Sequence, residues 1–433
     1  MTEKFDAIVV GAGPAGSAAA YVMAKAGLSV LQLERGEYPG SKNVQGAILY
    51  SDALERIIPE FRDEAPLERN IIEQRVWMLT DKSHVGFDFR SEEFNNDKPD
   101  RYSIIRAQFD RWFCNKVKQA GAMVICETLV KALIENEHGR VIGVTTDRDD
   151  GDVFADIVIL ADGVNSNLAR VSGYRNELEN KNTALVVKEM HFLRSDIIQN
   201  RFNINEKEGV AIEVVGTLTR GKIGMGFIYT NLEFISIGIG CMVGDFQKGG
   251  LTPYGLLDEL KEHPSVKPLL ISSEMKEYSA HLIPEGGYNA IPKIYGDGWM
   301  VVGDSAGLVN SIHREGSNMA MTSGQFAAET VIALKKEFKS FSEHNLARYK
   351  IALDNSYVIK DLKKYKRMPN FLHKNRHFFT LYPELISEAI ATILRVDGID
   401  KKSKGKQIIR SFRKGRGLFG LIADSIKFVR AIR

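Results

Sequence analysis

The chain opens on a short apolar run, Phe5-Asp6-Ala7-Ile8-Val9-Val10, long enough for a buried parallel strand and too short for a helix. A glycine-rich turn follows at once, Gly11-Ala12-Gly13-Pro14-Ala15-Gly16, and an alanine-rich helical pattern continues to about Lys25. Gly27 breaks that helix, and residues 28–33 form a second apolar strand closed by Glu34. Further along, residues 76–106 alternate polar and apolar through Val85, Phe87 and Phe89, as strands of a second domain would. Residues 106–121 are helical in pattern, and 141–144 and 157–160 read as short strands around the turn Asp149-Asp150-Gly151. The second of these ends in Asp162-Gly163. Residues 184–243 alternate with period two and are rich in glycine, which predicts an antiparallel sheet built on the parallel core. Residues 299–304 are again a strand, ending in Gly303-Asp304, and a helix is expected from Gly316 to about Lys335. From 341 onward the chain is mostly helical and increasingly basic. The fold class is therefore α/β, with a Rossmann-like domain at the N-terminus.

The first 35 residues carry the clearest chemistry. Gly11 permits a tight turn, Gly13 lets the backbone approach a pyrophosphate, and Gly16 allows helix to pack closely on strand. The helix N-terminus offers unpaired N–H groups and a positive dipole end to phosphates. Glu34, about 20 residues beyond the glycines, is placed to hydrogen-bond ribose hydroxyls. A lone glycine motif is a weak signal, but strand, helix and acid all stand at the right distances. The pattern means dinucleotide binding, and by itself does not separate NAD from FAD. The run Gly238-Ile239-Gly240-Cys241-Met242-Val243-Gly244 has the wrong spacing and no helix after it, so its glycines belong to a sheet.

At 433 residues the chain exceeds the usual single-core size, so two or three connected units are expected. Cys114, Cys126 and Cys241 are scattered with no C-x-x-C spacing, which rules against a disulfide scaffold, a zinc site or an iron–sulfur cluster on this chain. A reducing, cytoplasmic compartment is expected, with neither signal peptide nor transmembrane helix. The net charge of +3 is uneven: residues 401–433 hold eleven Lys and Arg against the single acid Asp424, a balance of +10, leaving −7 for the rest. Within that tail Leu418, Leu421, Ile422, Ser425, Ile426, Val429 and Ile432 recur at three- and four-residue spacing, flanked by Lys414, Arg416, Lys427, Arg430 and Arg433. This is the pattern of a helix lying in an anionic lipid interface. Nucleic acid is not expected as a partner, because it would leave the apolar stripe uncovered.

The fingerprint at 11–16, the Asp162-Gly163 turn and Gly303-Asp304, in this order, resemble FAD-binding proteins of the glutathione-reductase-like superfamily, hydroxylase-type branch. That resemblance implies that Asp304 contacts the ribityl chain. It also implies that a helix starting near Ser317-Asn318-Met319 points its N-terminus at the pyrimidine edge of the flavin. With no second glycine fingerprint, electrons are expected from a bound reductant or from another protein. The stretch Tyr278-Ser279-Ala280-His281-Leu282-Ile283-Pro284-Glu285-Gly286-Gly287-Tyr288-Asn289-Ala290-Ile291-Pro292-Lys293, with Ala320-Met321-Thr322-Ser323-Gly324 beyond it, resembles the electron-transfer-flavoprotein–quinone oxidoreductase family. The loop 36–47 is closer to that family's bacterial Fix-type (FixC-like) subunits.

Membership would imply FAD, peripheral association with the inner face of the cell membrane, and electron flow from the α and β subunits of an electron transfer flavoprotein to a membrane quinone. Electron bifurcation within a larger complex stays open. The larger family members carry cluster cysteines that this chain lacks, so either a small ferredoxin-like iron–sulfur subunit supplies the cluster or the route does without it. By the same resemblance, FAD would be held by Gly11, Ala12, Gly13, Pro14, Ala15, Gly16, Glu34, Arg35, Lys42, Gly46, Ala47, Arg106, Asp162, Gly163, Gly303, Asp304, Gly316 and Asn318. Weaker quinone-side candidates are Gly286, Gly287, His313 and Arg314; His313 reads equally well as a surface histidine. No catalytic side chain is assigned, because the flavin carries the chemistry. The expected domains are FAD-binding over 1–75, 106–182 and 291–340, an inserted substrate or quinone domain over 76–105 and 183–290, a helical region over 341–404 and a basic amphipathic tail over 405–433. Two alternatives remain open on the same fold: a flavin hydroxylase or geranylgeranyl-reductase-like enzyme, and a non-catalytic FAD electron relay.

Overall fold

The computed structural model describes residues 4–41, 47–247 and 250–432. Lys42 and Gly46 lie outside the described residues, and Ala47 is described only as backbone in the strand Ala47–Tyr50. The chain forms two compact units. The first comprises Met1–Glu68, Pro99–Thr183 and His281–Lys363; the second comprises Arg69–Lys98, Ala184–Ala280 and Lys364–Arg433.

The first unit is built on a largely parallel sheet. Strand β1 (Lys4–Val10) lies between β2 (Val30–Leu33) and the strand Asp152–Leu160, which in turn pairs in parallel with Trp299–Val301. Ile8, Val9, Ile157, Val158, Ile159 and Leu160 are all fully buried, as continuous apolar strands covered on both faces must be. Each such side chain contributes about 1.5–3 kcal/mol by leaving water. Helix α1 (Pro14–Lys25) packs on the long helix Ser317–Lys336, and the fit is made by a missing side chain. A Cβ on Gly324 would come within 2.1 Å of the Ala15 carbonyl oxygen.

The second unit is a mostly antiparallel sheet. Its strands run in the order Glu274–Pro284, Thr183–Phe192, Phe234–Met242, Gly224–Thr230, Glu208–Gly216 and Leu67–Leu79, with His84–Arg90 hairpinned onto the last. One pair departs from the antiparallel expectation: Glu208–Gly216 runs parallel to Leu67–Leu79. Ile212, Val214, Ile228, Ile237 and Ile239 form its core against Leu256, Leu257 and Leu260. Gly238 and Gly240 fall in a strand as expected, but Gly244 lies in the short helix Val243–Phe246 that follows it, where no helix was expected.

One buried cation organises this unit. Arg69 is fully buried, and its guanidinium donates to Asn231 O (2.6 Å), Leu232 O (3.0 Å), Asn205 O (3.1 Å), Glu206 O (2.5 Å), Glu208 O (3.1 Å) and Ser195 Oγ (2.9 Å). A buried charge is tolerated only when its donors are satisfied, and the planar fork of Arg meets several carbonyls at once.

The C-terminal region departs from the expected single tail. Gly417, at φ +70, divides it into two helices, Lys401–Arg416 and Leu418–Ile432, which follow His377–Leu394. The lone acid of the tail explains the arrangement. Asp424 is buried and accepts from His377 Nε2 (2.8 Å), Tyr382 Oη (2.9 Å) and both Arg416 Nε (2.6 Å) and Nη2 (2.9 Å). These donors, Arg416 first, hold its carboxyl well below the usual range. Phe428 adds ring contacts to Phe371 and Phe378. The opposite face of the last helix, with Leu418, Phe419, Ile422, Ile426 and Val429, stays exposed, Phe419 at 87 %. Among the described residues, no helix is long and apolar enough to cross a membrane.

Replacing Arg69 by Lys keeps the charge and loses the fork, leaving several carbonyls unpaired. The expected cost is on the order of 3 kcal/mol, a fall in Tm of roughly 10 °C. A thermal melt of Arg69→Lys that overlays the wild type would show that these contacts do not hold the unit.

Candidate functional site

At the C-terminal ends of the parallel strands the expected motifs meet. Gly11 has φ +109, and a Cβ there would lie 2.2 Å from Ala161 O. On Gly16 a Cβ would lie 2.1 Å from Gly11 O. Both glycines are therefore demanded by the fold. Gly13 is different: its backbone is extended (φ −77, ψ −178), and a Cβ would meet nothing within 4 Å. The open space beside it, at the N-terminus of α1, is where the fingerprint places a pyrophosphate. Ala12, Pro14 and Ala15 carry the turn between these points into the helix.

Glu34 ties this turn to the next loop. Its Oε2 accepts from Ala12 N at 2.9 Å and its Oε1 from Gly36 N at 2.7 Å. A carboxylate accepts about four hydrogen bonds, so both oxygens keep capacity for ribose hydroxyls. Arg35 is exposed. Arg106 is held by Asp110 in a two-point pair at 3.0 and 2.9 Å.

The other two motifs show unmet hydrogen-bonding demand. Asp162 Oδ2 accepts from Leu168 N at 3.2 Å, while its Oδ1 is buried without a partner. Ser166 Oγ and Asn318 Oδ1 are likewise buried and unpartnered, while the Ser305 hydroxyl faces the Asp162 carboxylate. An unmet buried polar atom costs about 1–3 kcal/mol, so their concentration in these segments is what a hydroxyl-rich ligand would relieve. Gly163 and Gly303 both have positive φ, +77 and +62. Gly303 N donates to Ser323 Oγ at 2.9 Å, which binds the Gly-Asp turn to the Ala-Met-x-Ser-Gly stretch. Desolvation raises the Asp304 carboxyl, with Arg106 and Arg175 acting against it. Gly316 caps the long helix, which begins with neither an acid in its first turn nor a side-chain cap. That leaves the N-terminal N–H groups and dipole available to negative charge. Asn318 Nδ2 donates to Glu315 Oε2 at 3.3 Å.

Three residues had no sequence signal as site residues. Arg175 Nη1 donates to Val164 O (3.2 Å) and Ser305 O (2.9 Å), stitching the Asp-Gly and Gly-Asp turns together. Desolvation, with Arg106 and Arg35 nearby, pushes the His281 imidazole down to about 4, so it is neutral at physiological pH. Desolvation also pushes the Glu285 carboxyl up to about 7, opposed only by the Ser311 hydroxyl. Gly286 and Gly287 form a tight turn, Gly287 at φ +61. Arg314, also at positive φ, is depressed to about 10 by desolvation, opposed by Tyr50. His313 is exposed, and its N–H donates to Asn310 Oδ1 at 3.3 Å.

Comparison with known proteins identifies the family and the fold. A FAD binding domain family matches residues 4–213, and the ETF-QO/FixC family C-terminal domain matches residues 368–433. The chain is similar to Protein FixC of Bradyrhizobium diazoefficiens, 60% identical over 434 residues and covering all of both chains. The chain belongs to the ETF-QO/FixC family. The probable electron transfer flavoprotein-quinone oxidoreductase YdiS of Escherichia coli is 39% identical over 432 residues, covering 99% of each chain. Among solved structures, a geranylgeranyl bacteriochlorophyll reductase-like protein of Thermoplasma acidophilum matches with a TM-score of 0.73 at 19% identity, covering 95% of this chain and 96% of that one. The flavin-dependent brominase Bmp2 matches at 0.65 and 15%, covering 95% and 100%. These two establish the shared fold. FAD is the cofactor of this family's dinucleotide domain, and the chain is a FAD-dependent oxidoreductase of electron transport.

The glycines make a paired test of the site. Gly13→Val has open space at its Cβ and should fold as wild type but lose bound FAD, because the side chain fills the space of the phosphate. Gly11→Val should fail to fold, since it meets backbone. Full flavin absorbance in purified Gly13→Val would contradict the placement.

Proposed function

We propose that this protein accepts electrons from an electron transfer flavoprotein onto FAD and passes them to a membrane quinone, docked on the cytoplasmic membrane face. The observation that carries the reading is the outward face of the helix Leu418–Ile432, whose exposed apolar residues are accompanied along the chain by the exposed Lys414, Lys427 and Arg430. An amphipathic cationic helix lies in an anionic lipid interface, each basic residue contributing on the order of 1 kcal/mol. A quinone with an isoprenoid tail resides in the same bilayer. The similarity to YdiS, whose name carries both donor and acceptor, supports the assignment of each.

Bound FAD supplies two-electron chemistry; the chain binds, orients and tunes it. In this reading Gly13 and the N-terminus of α1 take the pyrophosphate, Glu34 the ribose, and Asp162 and Asp304 the ribityl hydroxyls. The long helix, with Gly316 and Asn318 at its start, stabilises negative charge at the pyrimidine edge. The sites of Arg35, Lys42, Gly46, Ala47 and Arg106 complete the proposed cofactor set. An iron–sulfur cluster would come from a separate ferredoxin-like subunit, because Cys114 and Cys241 are spent in packing and Cys126 stands alone. Burial pushes Cys114 up to about 11 and Cys241 up to about 12. Electron bifurcation in such a complex is the extended form of this reading.

The test uses FAD-loaded protein on anionic liposomes containing a long-tailed quinone. Reduced electron transfer flavoprotein should reduce the FAD and then the quinone, while NADH should act slowly or not at all. Phe419→Asp with Ile422→Asp should leave FAD and Tm unchanged, abolish sedimentation with the liposomes, and spare a short soluble quinone. Fast direct reduction by NADH would instead make the protein a self-sufficient reductase. Unchanged sedimentation of the double variant would move the membrane contact elsewhere.

A further inference from the structure

The helices His377–Leu394 and Lys401–Arg416 pack against each other across the short connection 395–400. At the tip of this hairpin Val396 is 95 % exposed, Leu394 72 % and Ile399 51 %. Ile390 and Ile393, one turn back on the first helix, are exposed as well. A single exposed aliphatic residue means nothing, but a group of them at one turn marks a surface that something covers. The tip is also ordered. Lys404 is buried and pairs with Asp397 at 2.7 Å, and its Nζ donates to Arg395 O. Lys401 Nζ donates to Ile393 O. Asp400 caps the second helix, its Oδ1 accepting from Ser403 N at 2.9 Å and its Oδ2 from Ser403 Oγ at 2.6 Å. Gly398, at φ +81, makes the turn that these contacts close. The aliphatic side chains are thus held out into solvent by a built turn.

The charge beside the tip is one-sided. Both of its acids are engaged, Asp397 by Lys404 and Asp400 by the first turn of the helix it caps. That helix contains no acid and exposes Lys401, Lys402, Lys406, Arg410, Arg413 and Lys414. At the helical rise it runs about 24 Å from the tip to Gly417. Beyond Gly417 the helix Leu418–Ile432 exposes the apolar face described above, and all three pieces belong to the second unit. The complement of such a strip is an anionic surface with an apolar interior. A protein partner fits it less well, because a specific interface covers roughly 800 Å² per partner around aromatic anchors. Residues 390–400 offer a few aliphatic side chains and no aromatic ring. A fluid bilayer accepts a small apolar point of any shape and supplies phosphates for the flanking cations.

We propose that the turn 394–399 is a lipid-inserting wedge: Leu394, Val396 and Ile399 enter an anionic bilayer while the exposed cations of Lys401–Arg416 lie on its headgroups. The wedge is a second membrane contact, one helix length away from the apolar face of Leu418–Ile432. Two separated contacts fix how the protein sits on the membrane, whereas one interfacial helix would let it roll about that helix's axis. The proposal rests on the membrane reading given above. It adds to that reading a site outside the amphipathic tail, since residues 394–399 precede it.

The experiment uses full-length, FAD-loaded protein carrying Val396→Trp or Phe419→Trp, mixed with phosphatidylglycerol–phosphatidylcholine vesicles whose acyl chains are brominated. The indole introduced at either position should shift its emission to the blue and be quenched by the bromines. Both effects should fade on phosphatidylcholine alone and in high salt. The wild type supplies the background from Trp77, Trp112 and Trp299. Leu394→Asp with Val396→Asp changes only exposed side chains, so FAD content and Tm should stay at wild-type values while vesicle affinity falls roughly tenfold or more. Quenching at position 419 without quenching at 396 would overturn the wedge and leave the membrane reading standing, as would unchanged affinity of the double variant. Failure of the wild type to bind these vesicles would overturn both. A blue shift at 396 without vesicles, on adding electron transfer flavoprotein or on concentrating the protein, would overturn the wedge and assign the turn to a protein partner. Quenching at 396 that survives Phe419→Asp with Ile422→Asp would support the wedge as a contact in its own right.

Discussion

The structure of the first unit depends on how closely three stretches of backbone approach around Ala15. A Cβ on Gly16 would collide with Gly11 O at 2.1 Å, one on Gly324 with Ala15 O at 2.1 Å, and one on Gly303 with Ala15 Cβ at 2.8 Å. Fingerprint turn, Gly-Asp turn and long helix are thereby pressed onto one point, although the first lies some three hundred residues before the other two in the chain. Close approach of backbone, which only glycine permits, is what sets two helix N-termini toward one cofactor in the proposed reading. The side chains then do secondary work: Ser323 locks Gly303, and Arg175 joins the neighbouring turns.

What was legible in the sequence was local. Strand β1, the glycine turn, helix α1 and Glu34 lie within one short stretch, and each residue type has a conformational or hydrogen-bonding reason visible without the fold. The long helix was expected from Gly316 to about Lys335, and it runs Ser317–Lys336. Glu34 proved to have a second task, holding the N–H groups of Ala12 and Gly36, that spacing alone could not reveal.

What was not legible depends on distant partners. Arg175 follows no motif, and its meaning comes from a carbonyl 130 residues away. His281 and Glu285 were visible as letters in a family-like stretch, but their proton affinities come from desolvation and neighbouring charge that no period encodes. The tail shows the same limit. Its basic, amphipathic pattern runs on without a visible stop, yet Gly417 breaks it, and Asp424 anchors the second piece through three partners from two other helices. That anchoring turns one face inward and leaves the apolar face outward.

The central claim is that the fingerprint turn, the Gly-Asp turn and the long helix make a single flavin cradle by meeting at Ala15. Flavin affinity of Gly324→Ala, measured by titrating FAD into the apoprotein, tests it most directly, since this residue lies in a helix interior at the far side of the contact from the phosphate turn. The account predicts that the added methyl wedges the two helices apart and lowers FAD affinity at least tenfold, about 1.4 kcal/mol, while the second unit stays folded. Wild-type affinity in Gly324→Ala would contradict it.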